Sequence, residues 1–416
     1  MKKKFYILSL LLSGATMFSS CGDNNNNGGD DSRYKDRSFG STAISDCKTV
    51  VNTLTDANEV IGSANLSSEQ ETYLRNTLVN VVNNVIVPTY TNLANDVEKL
   101  ESTLHDLNVS TITQSDINNA CQHFKDARKH WEQSEAFLGG AASDFDIDPT
   151  IDSWPLNRTL LHSYFINGMS DEALEDQTIL GFHALEFILF RNGQPRSVSE
   201  LQGYDTYKNF TDIKGSDELT YAQTICTLLK QRCFQLQVAW EGETAANASR
   251  LQLVKEAKLS YTTIKGLSYG ENLTKAGISG SKSTFPTLKS AIAQVLSDDE
   301  GSCAAIADEV GTAKIANPFS AGDISYVESP YSYNSITDFC DNIHSIRNVW
   351  LGSIDGKAAE NSFHGFFVRV NKNNVNTTVE NAYESTISSI GNMPSPFVKY
   401  VSTIWNIKFE DDEDWD

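Results

Sequence analysis

The sequence predicts an all-α protein with two helical bundles in tandem. Apolar residues recur every three or four positions along most of the chain, which is the period of a helix packed on one side. Runs that alternate apolar and polar residues are few, so no large sheet is expected. About 375 residues remain after the N-terminal segments, too many for one ordinary core. We therefore predict two four-helix-bundle-like domains, residues 41–245 and 246–410.

The N-terminal segment, residues 1–20, has the pattern of a lipoprotein signal peptide. Three lysines precede an apolar stretch, residues 5–18, which is too short to span a bilayer. Two serines and Cys21 follow, which predicts cleavage before Cys21 and lipid attachment to it. An ordinary signal peptide with an incidental cysteine is the alternative. Residues 21–40 are rich in Asn, Gly and Asp and are expected to form a flexible tether.

Charge and cysteine content narrow the class of protein. The net charge is −21 and the pI is about 4.7, and no basic stripe is present, so nucleic acid is not an expected partner. The acidic tail, residues 411–416, is typical of a solvated terminus. Six cysteines remain after Cys21 and could be disulfide-bonded in an oxidising compartment or buried as free thiols.

Helix signals can be placed in order along the chain. Ser67 and Gln70 have the spacing of a capping box, and the helix that follows should be kinked or divided at Pro88. A bundle-type seam follows between Ile117 and Leu138 and includes Trp131 and Glu135. Further helices are expected at residues 171–190, 220–240, 251–264, 282–296, 336–350 and 375–390.

The most informative segment lies within the helix expected at residues 171–190. His183 and Glu186 are one turn apart on a helix that is apolar on every side, so both should be buried. A buried imidazole and carboxylate need a hydrogen-bonded partner or a metal ion. Gly181, placed in a helix interior, suggests the close approach of another backbone or a ligand. A simple His–Glu hydrogen bond that fixes the core is the alternative.

A metal site would need a third ligand from another helix. Glu135 is the candidate, because it shares the seam side of its helix with Trp131 and a buried carboxylate there needs a partner. An ion pair with Arg128 or another cation would also satisfy Glu135. His162 is expected to be a satisfied, partly buried histidine. Histidine and carboxylate ligands together suit iron or zinc.

Three segments in this order resemble the imelysin family of insulin-cleaving membrane proteases and iron-uptake-associated lipoproteins. They are Trp-Glu-Gln-Ser-Glu-Ala-Phe-Leu at 131–138, Ile-Asp-Pro-Thr-Ile-Asp-Ser-Trp-Pro-Leu at 147–156 and Gly-Phe-His-Ala-Leu-Glu-Phe at 181–187. The resemblance implies two related helical bundles with a G-x-H-x-x-E site, here Gly181, His183 and Glu186, near their junction. It also implies periplasmic or outer-membrane lipoproteins, some described as metallopeptidases and others as binding proteins.

Within the family segments, Asp148 and Asp152 could turn toward the site, although loop and cap chemistry would also explain them. Trp131 and Trp154 are expected to support the site or form its wall. For a peptidase, His183 and Glu186 would be the catalytic residues. The H-E-x-x-H motif of zinc peptidases is absent, as is any H-x-x-x-H pair.

These observations predict an imelysin-like, lipid-anchored protein of the cell envelope, at the outer membrane, that binds a divalent metal or iron through His183, Glu186 and Glu135. Its expected partners are the membrane, through Cys21, and a metal ion or iron-carrying ligand together with other uptake proteins. Two alternatives remain: a metal-dependent peptidase, and a structural surface protein whose His–Glu pair only stabilises the core.

Overall fold

The computed structural model describes residues 32–407, so the expected signal peptide, Cys21 and the acidic tail lie outside the described residues. The all-α prediction is confirmed. The α-helices, numbered α1 to α19 in chain order, are Ser32–Lys35, Ser38–Ser63, Ser68–Val81, Val87–His105, Gln114–Glu132, Ala141–Asp144, Asp148–Ile151, Arg158–Ile166, Gly181–Leu189, Val198–Gln202, Gly215–Glu241, Ala248–Glu256, Tyr269–Thr274, Leu288–Leu296, Cys303–Glu309, Ser335–Leu351, Phe363–Arg369, Asn373–Gly391 and Phe397–Trp405.

Irregular helical turns and one small hairpin complete the described part of the chain. Phe190–Arg191 and Gln194–Pro195 form an antiparallel pair, with Phe190 opposite Pro195. Two segments, Val82–Ile86 and Val310–Ala321, are π-helical, and the 3₁₀ turns are Glu135–Phe137, Asp171–Glu175, Gln177–Ile179 and Ile324–Tyr326. Such π-segments occur frequently at functional sites.

The capping signal at Ser67 and the break at Pro88 are both present. Ser67 accepts a hydrogen bond from the backbone N–H of Gln70, and the Gln70 side chain accepts one from the backbone N–H of Ser67. The helix that follows is divided by the π-segment Val82–Ile86, directly before α4, which has Pro88 in its first turn. Because proline cannot donate a backbone hydrogen bond, the change of helical pitch falls where that bond would be missing.

The end of the expected tether is ordered as helix. Residues 32–35 form α1, and α2 begins at Ser38, although residues 21–40 were expected to be flexible. The physical reason is contact with the C-terminal part of the described chain. Arg33 donates to the carbonyl of Asn392 at 3.0 Å, and the Arg37 guanidinium lies 4.9 Å from the centre of the Trp405 ring.

The core runs through both of the expected bundles. Buried apolar residues from Ala43 to Val401 form one connected cluster, with a smaller cluster around Phe234 and Val238. The division at residues 245 and 246 therefore stays a prediction. Helix α9 packs on α5 and α11, and α16 packs on α5, which brings residues from both halves of the chain together at α5.

The described cysteines are unpaired. Cys47, Cys121, Cys226, Cys233 and Cys303 are buried free thiols, and Cys340 is half-buried. No helix among residues 32–407 combines the length and the apolar character needed to cross a membrane.

Candidate metal centre

Helix α9, Gly181–Leu189, carries the central residues of the site. All nine of its residues are buried, as expected for a helix that is apolar on every side. It is shorter than the predicted helix at residues 171–190, because Asp171–Glu175 and Gln177–Ile179 are 3₁₀ turns and Leu180 is extended. The prediction of one continuous helix there was wrong.

Gly181 stands at the first position of α9 and not in its interior. Its φ is +73°, a conformation that strains residues with a Cβ. A Cβ at this position would lie 2.0 Å from the carbonyl oxygen of Ile151 and 2.9 Å from that of Thr150. Glycine is therefore required both by the backbone conformation and by the close approach of the segment that carries Asp152.

His183 presents its two ring nitrogens to different carboxylates. Nε2 lies 3.1 Å from Asp152 Oδ1, and Nδ1 lies 3.9 Å from Glu186 Oε2. The side chains of His183 and Asp152 are only 4% and 6% exposed. Nε2 has no hydrogen-bond partner of good geometry, although the Asp152 carboxylate is near it. It is a buried nitrogen in close charge contact but without a directed partner.

Glu186 is anchored on the Nδ1 side of the ring. Its Oε1 accepts hydrogen bonds from the backbone N–H groups of Tyr331 and Ser332, at 3.0 and 2.7 Å, and from the Ser332 hydroxyl at 2.7 Å. Its Oε2 makes no hydrogen bond. Glu186 is therefore held in place by the Tyr331–Ser332 backbone and faces the ring at 3.9 Å as a neighbouring charge, without a direct hydrogen bond to it.

Arg128 lies at the centre of a buried group of carboxylates on the Nε2 side. It pairs with Glu132 at 2.6 Å, with Glu328 at 2.7 Å and with Asp152. Asp152 also accepts a hydrogen bond from the Trp131 indole N–H at 2.7 Å. A planar guanidinium can bind several carboxylates at once, which explains an arginine in this position.

Lys314 reaches the same group from the π-segment Val310–Ala321. Its ammonium lies 3.0 Å from Glu328 Oε1 and 3.6 Å from Glu309 Oε1. Since Glu328 Oε1 thus contacts both Arg128 and Lys314, the other oxygen, Oε2, is left buried and without a hydrogen bond.

The site holds more negative than positive charge when every group is ionised. At least seven carboxylates face three cationic side chains; the carboxylates are Glu132, Glu135, Asp148, Asp152, Glu186, Glu328 and Asp338, and the cations are Arg128, Lys314 and protonated His183. Such an excess of negative charge in a low-dielectric interior is strongly unfavourable. Bound protons or a metal ion must offset it.

The pKa values show how protons can offset this charge. Burial raises the pKa of Asp338 to about 7 and raises those of Glu132 and Glu135 well above the usual range. Burial also acts to raise the pKa of Asp152, but attraction to Arg128 and His183 outweighs burial, and the pKa of Asp152 is lowered. Burial disfavours the charged His183 ring and is the largest single effect, yet the Asp152 and Glu186 carboxylates together outweigh it and raise the His183 pKa to about 9.

The ligand atoms form two overlapping groups. Atoms of Asp152, His183 and Glu328 lie within 4.8 Å of one another, and so do those of Glu132, Glu135 and Asp152. Glu135, the expected third ligand, is buried beside Asp152 but belongs to the second group, without His183. The ion pair with Arg128, which was the alternative interpretation of Glu135, is made by Glu132 instead. Asp152, expected as support, is common to both groups.

The remaining residues from the sequence analysis take the following places. Trp131 supports the site through Asp152, and Trp154 lies at its edge, with Lys314 5.7 Å from the centre of its ring. Asp148 lies in the same cluster, where burial raises its pKa to about 7. His162 lies elsewhere, 3.0 Å from Asp212 and partly exposed, as a satisfied histidine would be.

Sequence reasoning did not single out Glu132, Glu328, Asp338 or Lys314. Asn342, from the second half of the chain, donates to Glu132 Oε2 at 2.6 Å. A signal for Lys314 was available, since it is the lone charge in Val310–Ala321. Glu328 had none, because it lies in a loop and reaches the site only through tertiary packing.

The residues present fit a metal ion. Imidazole nitrogen and carboxylate oxygen are ligands for iron, zinc and manganese. Two of the candidate donors, His183 Nε2 and Glu328 Oε2, are buried and lack hydrogen bonds. An ion among Asp152, His183 and Glu328 would also supply the positive charge that the cluster lacks.

Comparison with known proteins identifies the family. The family model described as Peptidase_M75, imelysin, matches residues 86–409. Iron-regulated protein A of Synechococcus elongatus is 26% identical over 284 residues, which cover 68% of this chain and 66%, just under two thirds, of that protein.

A solved structure shares the fold. A crystal structure described as a putative iron-regulated protein A precursor from Parabacteroides distasonis superposes with a TM-score of 0.60 and 22% identity, over 83% of this chain and 96% of that one. An imelysin-like protein from Psychrobacter arcticum is more distant, with a TM-score of 0.49 and 14% identity over 82% of this chain and 94% of that one. Since the family model covers more than half of the sequence, this chain belongs to the imelysin family.

Proposed function

We propose that this protein is a metal-binding protein of the cell envelope, linked to iron uptake and anchored by lipid on Cys21. The observation that carries the metal proposal is the convergence of Asp152, His183 and Glu328, whose donor atoms lie within 4.8 Å of one another in a cluster with excess negative charge. The name of the iron-regulated relative supports iron as the metal. The anchor rests on the sequence pattern at residues 1–21.

In this proposal His183, Asp152 and Glu328 hold the ion, while Glu186 orients the His183 ring. The three hydrogen bonds to Glu186 Oε1 fix that carboxylate against the Tyr331–Ser332 backbone. Glu135 and Glu132 form the adjoining acidic group, which can share protons or a second ion with Asp152. Glu186 and Glu135 therefore act beside the ion and not as its first ligands.

Metal analysis and calorimetry test the proposal directly. Purified protein should bind ferrous or zinc ions, and His183→Ala should lower the affinity by at least about a hundredfold, because it removes the only nitrogen ligand. His162→Ala is the matched control, since His162 also pairs with a carboxylate but lies outside the site. A wild type without metal affinity, or an unchanged affinity in His183→Ala, would contradict the proposal.

Glu186→Gln separates the orienting role from a ligating one. The amide oxygen of glutamine can accept the same three hydrogen bonds, so the fold should be retained. If Glu186 only orients the ring, metal affinity should fall by about 10- to 100-fold. Complete loss of binding with an intact fold would make Glu186 a direct ligand.

Peptidase activity is the second candidate, because the family description includes that activity. The ligands are almost fully buried, which suits a small ion better than an extended peptide. We therefore expect no robust cleavage of an unfolded protein substrate. Chelator-sensitive cleavage that is lost in Glu186→Gln would establish the peptidase instead.

A further inference from the structure

A cavity lies beside the 3₁₀ turn Glu135–Phe137, outside the ionic cluster. Its volume is about 220 Å³. This turn contributes Glu135 to the acidic cluster and Phe137 to the cavity wall. The cavity is larger than the engineered apolar cavities of about 150 Å³ that bind benzene, so a molecule of roughly ten heavy atoms or fewer would fit.

Aromatic side chains form much of the cavity wall. Phe137, Trp240, Tyr269 and Phe285 all line it. Trp240 and Tyr269 are in contact, with ring centres 6.0 Å apart. Aromatic rings attract organic cations, because the face of a ring is electronegative.

Polar side chains also line the cavity, among them Asp144, Asn272, Thr284 and Gln294, and Asp144 and the Trp240 indole are the two groups that bear on a ligand. Asp144 lines it, and its Oδ2 accepts a hydrogen bond from the Tyr269 hydroxyl at 2.6 Å, which holds the carboxylate at the wall. Trp240 is 4% exposed, and its indole N–H is buried without a hydrogen-bond partner. An unsatisfied buried donor costs about 1–3 kcal/mol, so a ligand that offers an acceptor would recover that energy.

The shape of the wall depends on Gly140. Its φ is +122°, and a Cβ there would lie 2.9 Å from the Tyr269 ring. A side chain at this position would push Tyr269 from its place beside Asp144. Glycine therefore keeps the ring and the carboxylate together.

We propose that this cavity binds a small hydroxylated organic cation, such as a hydroxyalkyl ammonium compound. The ammonium group lies against the aromatic rings near Asp144, and the hydroxyl oxygen accepts from the Trp240 indole N–H. The net charge of −21 favours the approach of cations to the protein. The proposal is independent of the metal centre, because it uses none of its ligands.

Choline and its neutral isostere 3,3-dimethylbutan-1-ol provide the test. They share size and hydroxyl and differ in charge, so calorimetry on the full-length protein should show choline binding at least tenfold tighter. Equal binding of the two would make this an ordinary apolar cavity and overturn the proposal, as would no binding of either.

Two variants identify the contacts. Asp144→Asn should weaken choline binding at least tenfold. Asp146→Asn is the control, because Asp146 is an exposed carboxylate two residues further along the chain that does not line the cavity, and this variant should leave choline binding unchanged. Trp240→Phe removes the indole donor and also weakens the cation–π contact, so choline should lose more affinity than tetramethylammonium, which has no hydroxyl. Equal effects of the two aspartate variants would overturn the role of Asp144, and equal effects on the two cations would overturn that of Trp240.

Discussion

Replacing Gly181 with alanine should damage both stability and the metal centre. Gly181 has a φ of +73°, which costs a residue with a Cβ about 1–2 kcal/mol. The new Cβ would also lie 2.0 Å from the Ile151 carbonyl oxygen, so that backbone has to move. Overpacking of this kind adds about 1–3 kcal/mol, and we expect a total loss of about 3 kcal/mol or more in the free energy of unfolding.

Gly168→Ala provides a matched control. Gly168 also has a positive φ, +92°, but a Cβ at this position would have no neighbouring atom within 4 Å. This variant should lose only the conformational part, about 1–2 kcal/mol. The difference between the two variants in urea denaturation therefore measures the close approach of α9 to the Ile151 backbone.

Metal affinity provides the second readout of Gly181→Ala. Ile151 directly precedes Asp152, so displacement of its carbonyl should move the Asp152 carboxylate away from His183. The affinity should fall in Gly181→Ala and stay unchanged in Gly168→Ala. Equal stability losses in the two variants, together with unchanged metal affinity in Gly181→Ala, would refute the reasoning.

Three further predictions concern pH, thiols and the anchor. Because the His183 pKa is about 9, a metal ion has to displace a proton from His183, and the metal affinity should rise about tenfold per pH unit up to about pH 9. Calorimetry in different buffers should show the released proton as a buffer-dependent binding enthalpy. A metal affinity that does not depend on pH would contradict this prediction. Burial raises the pKa of the Cys47, Cys121 and Cys340 thiols to about 12, so a thiol reagent at pH 8 should modify them only after unfolding; rapid labelling of the native protein would contradict this. Cys21→Ser should release the protein from the membrane fraction and abolish fatty-acid labelling, and full retention would contradict lipidation.

The sequence could predict local features because they depend on neighbouring residues. The helical period, the Ser67 capping box and the break at Pro88 each involve residues within about one turn of each other. The burial of His183 and Glu186 also followed from the apolar residues around them. The close approach at Gly181 was inferred for the right residue but in the wrong setting, since Gly181 starts α9 and has a positive φ.

The composition of the metal centre could not be obtained in this way. Glu135 was placed on the seam by continuing the period of α5, but α5 ends at Glu132 and the chain turns into a 3₁₀ segment. Because the helical pitch changes after Glu132, Glu135 does not continue the seam, and Glu132 makes the ion pair with Arg128. Glu328 lies 145 positions after His183, and no local pattern records that distance. Its part in the site depends on tertiary packing alone.

The three cationic side chains of the site differ in how readily a metal ion can displace a proton from them. Burial opposes the charged forms of Arg128 and Lys314, but the surrounding carboxylates outweigh it and raise both pKa values well above their usual range. These two charges are therefore fixed at any physiological pH.

His183 is different, because its pKa of about 9 lies close enough to neutrality for a metal to displace the proton. A divalent ion that replaces one proton on His183 adds one net positive charge to a cluster in which carboxylates outnumber cationic side chains. The carboxylates Glu132, Glu135 and Asp338, whose pKa values are raised, can then adjust the remaining charge by gaining or losing protons. Arg128 and Lys314 thus hold the carboxylates in place, and His183 is the group through which the site exchanges a proton for a metal.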